Sequence, residues 1–322
     1  MSQPEDKFTS IPEIQESFAQ MGYICSQTIA TCLYVAHNLG RPILAEGPAG
    51  VGKTELAKTV ATYLNRPLVR LQCYEGLDES KAIYEWKYGK QLLYIQLLKD
   101  KLNEIMQGAT GLAESMTRLH SHEDVFFSHN FLEPRPLLKA LEEENGCVLL
   151  IDEVDKSDHE FEALLLEILS DFQVTVPEIG TIQAKKHPFV ILTSNNTREM
   201  SDALKRRCLH LYIPYPDKAL ESRIVEVKVP DIQESLKTQL VSFIQQVRDI
   251  DLKKHPSVSE TIDWARVLVL LHADSLEDEL VRSTLNIFLK FEEDIKRVNK
   301  DLGKIIATAR KDAGLEMYAS NA

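Results

Sequence analysis

The chain has 322 residues, of which 44% are hydrophobic and 27% charged, and carries a formal net charge of −12. The length suggests two domains of roughly 150 residues, the composition is that of a globular protein able to bury a core, and the acidic balance without a basic stripe argues against nucleic acid as a partner. Five scattered cysteines without a CxxC pair form neither a disulfide framework nor a zinc site; no apolar run of about 18 residues could span a membrane, and the polar start MSQPEDKFTS is no secretory signal, so a cytoplasmic location is expected.

Ser10-Ile-Pro-Glu13 has the spacing of a capping box opening a first helix, and a second helical stretch runs from Cys25 to His37. Pro42 to Glu46 is a short apolar strand that leads straight into the glycine-rich stretch GPAGVGKT. Helical spacing returns over Thr54 to Leu64, with Leu56, Val60 and Leu64 on one face, and Asn65-Arg-Pro67 ends it before a second strand, Leu68 to Cys73. Residues 74–136 read as an insertion, with a long amphipathic helix over Gln91 to Met106 and then a polar stretch carrying His120, His122 and His129.

A third strand is expected at Cys147 to Ile151 and a helix at Glu160 to Asp171. FQVTVPEIGTIQAKKH alternates apolar and polar residues around Pro-Glu-Ile-Gly, the pattern of a β-hairpin over 172–186. Fourth and fifth strands come at Phe189 to Ser194 and Leu209 to Ile213, and beyond Tyr215-Pro216 the pattern is helical through about Leu302. Strands alternating with helices predict an α/β core over 1–216 with a parallel sheet covered on both faces, then a smaller all-helical domain over 217–322.

GxxxxGK[ST] is matched by Gly47, Gly52, Lys53 and Thr54, between an expected strand and an expected helix. Such glycines let successive backbone N–H groups converge on phosphate oxygens, and the helix beginning at about Lys53 adds its N-terminal dipole. Gly47, Pro48, Ala49, Gly50, Val51, Gly52, Lys53, Thr54 and Glu55 are therefore the expected phosphate-binding segment, with Lys53 neutralising the β- and γ-phosphates and Thr54 ligating Mg2+. CVLLIDEVD supplies the second half: a buried strand ending in two carboxylates, which are costly there without a cation or water to receive them. Asp152 is expected to hold the Mg2+ shell and Glu153 to polarise the attacking water. Together the two motifs point to ATP. The three histidines of the insertion lack zinc spacing and are read as solvated loop residues, and Trp86 and Tyr88 are assigned no site.

DEVD also matches the DExD box of nucleic-acid helicases, but the chain beyond it has a different pattern. VILTSNN is another apolar strand ending in polar amides, DALKRRC places Arg206 and Arg207 at a helix end, and SETIDWARVL places Arg266 on a helix of the C-terminal part. These stretches, with GYICSQTIATCLYVAHNLGRPILAEGPAGVGKT, CYEGLDESKAIYEW and FEALLLEILSDFQVTVPEIG, resemble the AAA+ ATPases, and within them the MoxR family, over essentially the whole chain. The resemblance implies a five-stranded P-loop core with a helical lid. It also implies Asn195 as the sensor-1 residue that positions water with Glu153, Arg207 as the arginine finger with Arg206 as second candidate, and Arg266 as the sensor-2 arginine. Further implied are ATP hydrolysis with Mg2+ in a homo-oligomeric ring, usually a hexamer, and chaperone-like action on a protein client with a separate von Willebrand factor A domain partner. A nucleic-acid-stimulated motor, disfavoured by the acidic balance, and an ATP-binding scaffold with little turnover, disfavoured by the complete set of Glu153, Asn195 and Arg207, are the alternatives.

Overall fold

The computed structural model describes residues 8–97, 129–177 and 179–315. Its strands are β1 (Ile43–Glu46), β2 (Leu68–Gln72), β3 (Tyr84–Trp86), β4 (Leu132–Pro134), β5 (Val148–Asp152), β6 (Gln173–Val176), β7 (Gly180–Gln183), β8 (Phe189–Ser194) and β9 (Leu209–Tyr212). Five of them form one parallel sheet in the order β2-β5-β8-β1-β9.

Side chains alternate across a strand, and here the alternation sorts apolar residues into two cores. Val148 and Leu150 join Ile14, Phe18, Leu33, Leu56 and Val60 on one face. Leu149 and Ile151 join Leu137, Phe161, Leu165 and Leu204 on the other. The first face is covered by helices Ile11–Gln20, Gln27–Leu39 and Lys53–Leu64, the second by Pro136–Glu142, His159–Asp171 and Asp202–Arg207. With both faces covered, all five residues of β5 are buried, its terminal aspartate included. That burial is what makes the strand's carboxyl end chemically demanding.

The capping box expected at Ser10 is one-sided. Ser10 Oγ accepts the Glu13 N–H at 3.4 Å, while the Glu13 carboxylate is engaged by the Thr9 hydroxyl. A complete box stands instead at the start of helix Val258–Leu270: the Ser257 N–H donates to Glu260 Oε2 at 2.8 Å and the Glu260 N–H to Ser257 Oγ at 3.3 Å.

The insertion is tied off at its base by β3 and β4, which pair antiparallel and bury Trp86, Phe131 and Leu132 in the core. Its helix spans Tyr88–Leu97, starting before Gln91; the remainder of the expected helix, His120 and His122 lie outside the described residues. His129 contacts Glu142 at 2.5 Å. The hairpin forms as expected from β6 and β7, and Val174 and Val176 anchor one of its faces in the core.

After the sheet the chain is helical, in Lys218–Lys228, Glu234–Arg248, Val258–Leu270, Asp278–Phe288 and Glu292–Asp312. The last helix runs past the expected end near Leu302 because Ile305, Ile306 and Ala309 continue its buried face. Among the described residues no helix is long and apolar enough to cross a membrane.

The helical part has its own core, centred on the fully buried Trp264, whose ring lies 4.5 Å from Phe288 and 5.2 Å from Phe243 and whose Nε1–H donates to Thr284 Oγ1 at 3.0 Å. A buried polar link runs beside it: Glu221 accepts two hydrogen bonds from Arg248, each 2.7 Å, and one from Thr261 Oγ1 at 2.9 Å. Trp264→Ala removes the ring and its hydrogen bond to Thr284, whose hydroxyl still donates to the Leu280 carbonyl at 2.8 Å, and is expected to lower the unfolding free energy by roughly 3–5 kcal/mol, measured by urea unfolding; a loss below roughly 1 kcal/mol would show that Trp264 is not the anchor of this core.

Candidate active site

The glycine stretch is the turn between β1 and helix Lys53–Leu64, and its backbone leaves no room for a side chain at Gly47 or Gly50. Gly47 has φ 148°, and a Cβ there would lie 2.1 Å from the Ile213 carbonyl oxygen. Gly50, in the left-handed region at φ 72°, would place a Cβ 2.5 Å from Ser257 Cβ. The loop is thus wedged between the end of β9 and the first turn of helix Val258–Leu270. Behind it, the first N–H groups of helix Lys53–Leu64 have no intrahelical acceptor and face the loop, an arrangement suited to anions.

Lys53 is the buried cation of the site, at 6% exposure. Its Nζ donates to the carbonyls of Gly47 and Pro48, each at 2.7 Å, and to Asn195 Oδ1 at 2.9 Å. Burial pushes its pKa below that of an ordinary lysine, while Asp155, Asp152 and Glu153 act in the opposite sense. Glu55, on the same helix, pairs with Lys58 at 3.4 Å and Lys228 at 3.7 Å.

Asp152, at the end of β5, is 3% exposed and fully engaged. It accepts from Thr54 Oγ1 at 3.1 Å, Thr193 Oγ1 at 2.5 Å and Arg70 Nη2 at 2.6 Å. Glu153 sits in the left-handed region at φ 55°, a conformation a glutamate adopts only when its surroundings impose it. Its N–H donates to Thr193 Oγ1 at 2.9 Å, and its carboxylate accepts from Gln72 Nε2 at 3.1 Å and Asn195 Nδ2 at 3.4 Å. Asp155 accepts both the N–H and the hydroxyl of Thr197, at 3.0 and 2.6 Å. Burial alone would raise the Asp155 pKa, but these two donors hold it below the ordinary aspartate value.

Two adjoining cavities share Gly50, Gly52, Glu55 and Ser259. The polar one, about 260 Å³, is lined by Lys53, Thr54, Asp152, Glu153, Thr193 and Asn195. The other, about 300 Å³, lies between Tyr23 and Ile29 on one side and the helices Lys218–Lys228 and Val258–Leu270 on the other. A polar pocket joined to a largely apolar one matches the two halves of a nucleotide. Thr54 Oγ1 beside the Asp152 carboxylate is a pair of hard oxygen donors, and two protein ligands suit Mg2+, which keeps several waters and takes the rest of its shell from phosphates. Among the described residues no group of three or more His, Cys, Asp or Glu could hold a metal by itself.

The three arginines are placed differently. Arg266 lines the larger cavity, 59% exposed, with Asp263 at 3.5 Å. Arg206 and Arg207 are exposed at the end of helix Asp202–Arg207 and do not join the site. Arg207 donates to Ser170 Oγ at 2.6 Å and to the Ala203 carbonyl at 3.2 Å. The residues that sequence reasoning missed are Arg70, Gln72, Thr193, Ser259 and Tyr23. Arg70 and Gln72 left a signal: they alternate on β2, and in register Gln72 stands beside Asp152.

A family model for the AAA domain (dynein-related subfamily) matches residues 42–208, from the start of β1 to the end of the helix carrying Arg206 and Arg207. An uncharacterized protein of Staphylococcus epidermidis is 24% identical over 250 residues, spanning 76% of this chain and 81% of the relative. Uncharacterized proteins of Staphylococcus haemolyticus and Staphylococcus aureus are 24% and 23% identical over 239 residues, each spanning 72% of this chain and 77% of the relative. The family match covers more than half of the chain, including the glycine loop and both acid-tipped and amide-tipped strands, and the chain belongs to the AAA family, dynein-related subfamily.

Proposed function

We propose that the chain is an ATPase of the MoxR kind, in which residues 1–216 hold the nucleotide and residues 217–322 form a helical lid, and that it uses ATP with Mg2+ to remodel or mature a protein client. The observation that carries this reading is the convergence of Lys53, Thr54, Asp152, Glu153 and Asn195 on one cavity beneath a glycine loop. With ATP bound, Lys53 exchanges the Gly47 and Pro48 carbonyls for phosphate oxygens. Thr54 and Asp152 would hold Mg2+, which would neutralise phosphate charge there. Glu153 takes the proton of the attacking water as its oxygen forms a bond to the γ-phosphorus and the bond to the bridging oxygen breaks, releasing ADP. Asn195 contacts both ends of this chemistry, accepting from Lys53 and donating to Glu153, so it fixes the base relative to the cation.

Arg207 serves in this reading as a finger for a neighbouring copy in a ring, with Arg206 as the second candidate and Arg266 facing the phosphates from the lid. What supports action across an interface is register. Ile43 pairs with Leu209, which sets Arg207 level with Arg41, at the opposite end of β1 from Gly47. Six residues of extended chain span about 20 Å, beyond the reach of an arginine side chain. The hairpin over 172–186 and the insertion over 74–136 are the proposed surfaces for the client and for a partner with a von Willebrand factor A domain. In the insertion, helix Tyr88–Leu97 exposes Tyr88, Leu92, Leu93 and Leu97, a concentration of apolar surface that suits protein contacts.

Lys53→Ala should abolish ATP binding in calorimetry. Glu153→Gln should bind ATP and lose phosphate release by roughly 10²-fold or more, the scale of a positioned base; normal turnover would remove Glu153 from that role.

The shared site has its own test. Arg207→Ala should bind ATP and hydrolyse it poorly, yet mixing it with Lys53→Ala should restore part of the phosphate release, because some interfaces then pair an intact Lys53 with an intact Arg207. Mixed rings that form but stay silent would return Arg207 to a solvated helix end.

A further inference from the structure

Helix Asp202–Arg207 ends without a glycine: its C-cap is Cys208, extended at φ −99° and ψ 155°. A left-handed glycine would fold the chain back onto the last carbonyls, whereas an extended cap leaves them to be met from elsewhere. Arg41 meets them. Its Nη2 donates to the Arg206 carbonyl at 2.5 Å and to the Cys208 carbonyl at 3.4 Å, and its Nε donates to the Arg207 carbonyl at 3.3 Å. We propose, on the reading of Arg207 as a finger, that Arg41 is a positioning residue that fixes the Arg207 backbone at the level from which its side chain serves a neighbouring copy.

Charge alone would not bring Arg41 here. The last turn of the helix already carries Lys205, Arg206 and Arg207, and a fourth cation is drawn in by the carbonyl end of the helix against that repulsion. Three carbonyls need several donors in a fixed fork, which a guanidinium has and an ammonium lacks. The main chain reinforces the clamp, because the Leu209 N–H donates to the Pro42 carbonyl at 2.7 Å, one residue beyond Arg41 on one segment and two beyond Arg207 on the other.

The side chain of Arg207 is held differently from its backbone. Nε donates to the Ser170 hydroxyl at 2.6 Å and Nη1 to the Ala203 carbonyl at 3.2 Å, both at the exposed surface. These are neutral acceptors, and a phosphate oxygen makes the stronger, charge-assisted bond. Arg207 therefore has a fixed root and an exchangeable tip, as a finger requires. Arg41 lies just before β1 and Gly47 just after it, so one strand carries the clamp on the finger at one end and the glycine loop at the other.

Complementation separates this role from a structural one. Arg41→Ala keeps Lys53, Thr54, Asp152 and Glu153, so it should bind ATP in calorimetry as the unaltered chain does. Phosphate release should fall by roughly 10²-fold, the scale of a reacting group displaced by about 1 Å. Mixed with Lys53→Ala it should recover part of that release; mixed with Arg207→Ala it should not, because neither chain then offers a placed finger. Amide hydrogen exchange should quicken over residues 203–208 and stay unchanged over the glycine loop. Arg41→Lys, which keeps the charge and loses the fork, should show the same mixing pattern with a smaller loss, and it replaces the alanine variant if that one folds poorly. Normal turnover, recovery on mixing with Arg207→Ala, silence on mixing with Lys53→Ala, or unchanged exchange over 203–208 would overturn the proposal. Failure of Arg207→Ala and Lys53→Ala to complement each other would instead remove the finger itself, and the positioning role of Arg41 with it.

Discussion

The structure depends on how one buried carboxylate is compensated. Asp152 ends a strand whose other residues are all apolar and covered on both faces, and a carboxylate left there alone would be prohibitively expensive. Thr54, Thr193 and Arg70 each answer it from a different element: the helix after the glycine loop, the neighbouring strand β8 and the edge strand β2. That requirement fixes the order of the sheet around β5. β8 must bring a hydroxyl on one side and β2 a cation on the other, and the helix after β1 must reach across with Thr54. The arginine is the least committed of the three, since its side chain is 49% exposed while that of Asp152 is 4% exposed. A half-solvated guanidinium adds modest energy to the pair and moves without disturbing the core.

Glu153 inherits its position from the same constraint. The strand must turn sharply once the buried aspartate is placed, and Glu153 takes the left-handed conformation at the turn. Its N–H and the Asp152 carboxylate are both bound by the single Thr193 hydroxyl, so the orientation of one acid is transmitted to the other. Asp155 closes the next turn through Thr197, which holds the segment after β8 against the segment after β5. Asn195 lies between these two ties, and its amide accepts from Lys53 at 2.9 Å and donates to Glu153 at 3.4 Å.

How much of this is legible in the sequence depends on the range of the interactions involved. The glycine loop, the hairpin and the five strands of the sheet are local patterns, and the five strands stand within a residue of their expected bounds. The capping box at Ser10 shows how a local rule fails: the spacing is right, but Thr9, one residue upstream, competes for Glu13. The complete box at Ser257 has the same spacing, and nothing in the four residues alone distinguishes the two. Arg70 and Gln72 show only their alternation on β2, and their partners are hidden for another reason. Their partners lie 82 and 81 residues away, and only strand order places β2 beside β5. Arg41 is more remote still, capping the carbonyl of Arg206 across 165 residues; in sequence it is one arginine before a proline.

The two ends of the sheet differ in the residues they gather. At the carboxyl ends, carboxylates gather around a cation and the loop amides; at the amino ends, cations gather with no described acid among them. Parallel strands are what permit this separation, since every strand starts at one end and finishes at the other. The segregation also bears on the helical part. Gly50 packs against Ser257 and Glu55 faces Lys228, so the helical part meets the sheet at its carboxyl end, where a nucleotide would sit between the two. A ligand filling the joined cavities must press on helices Lys218–Lys228 and Val258–Leu270 while the sheet, buried on both faces, stays rigid. Under the proposed function the lid is therefore the part whose angle reports the nucleotide, and the sheet is the fixed frame that holds Arg207 at a constant distance from its own glycine loop.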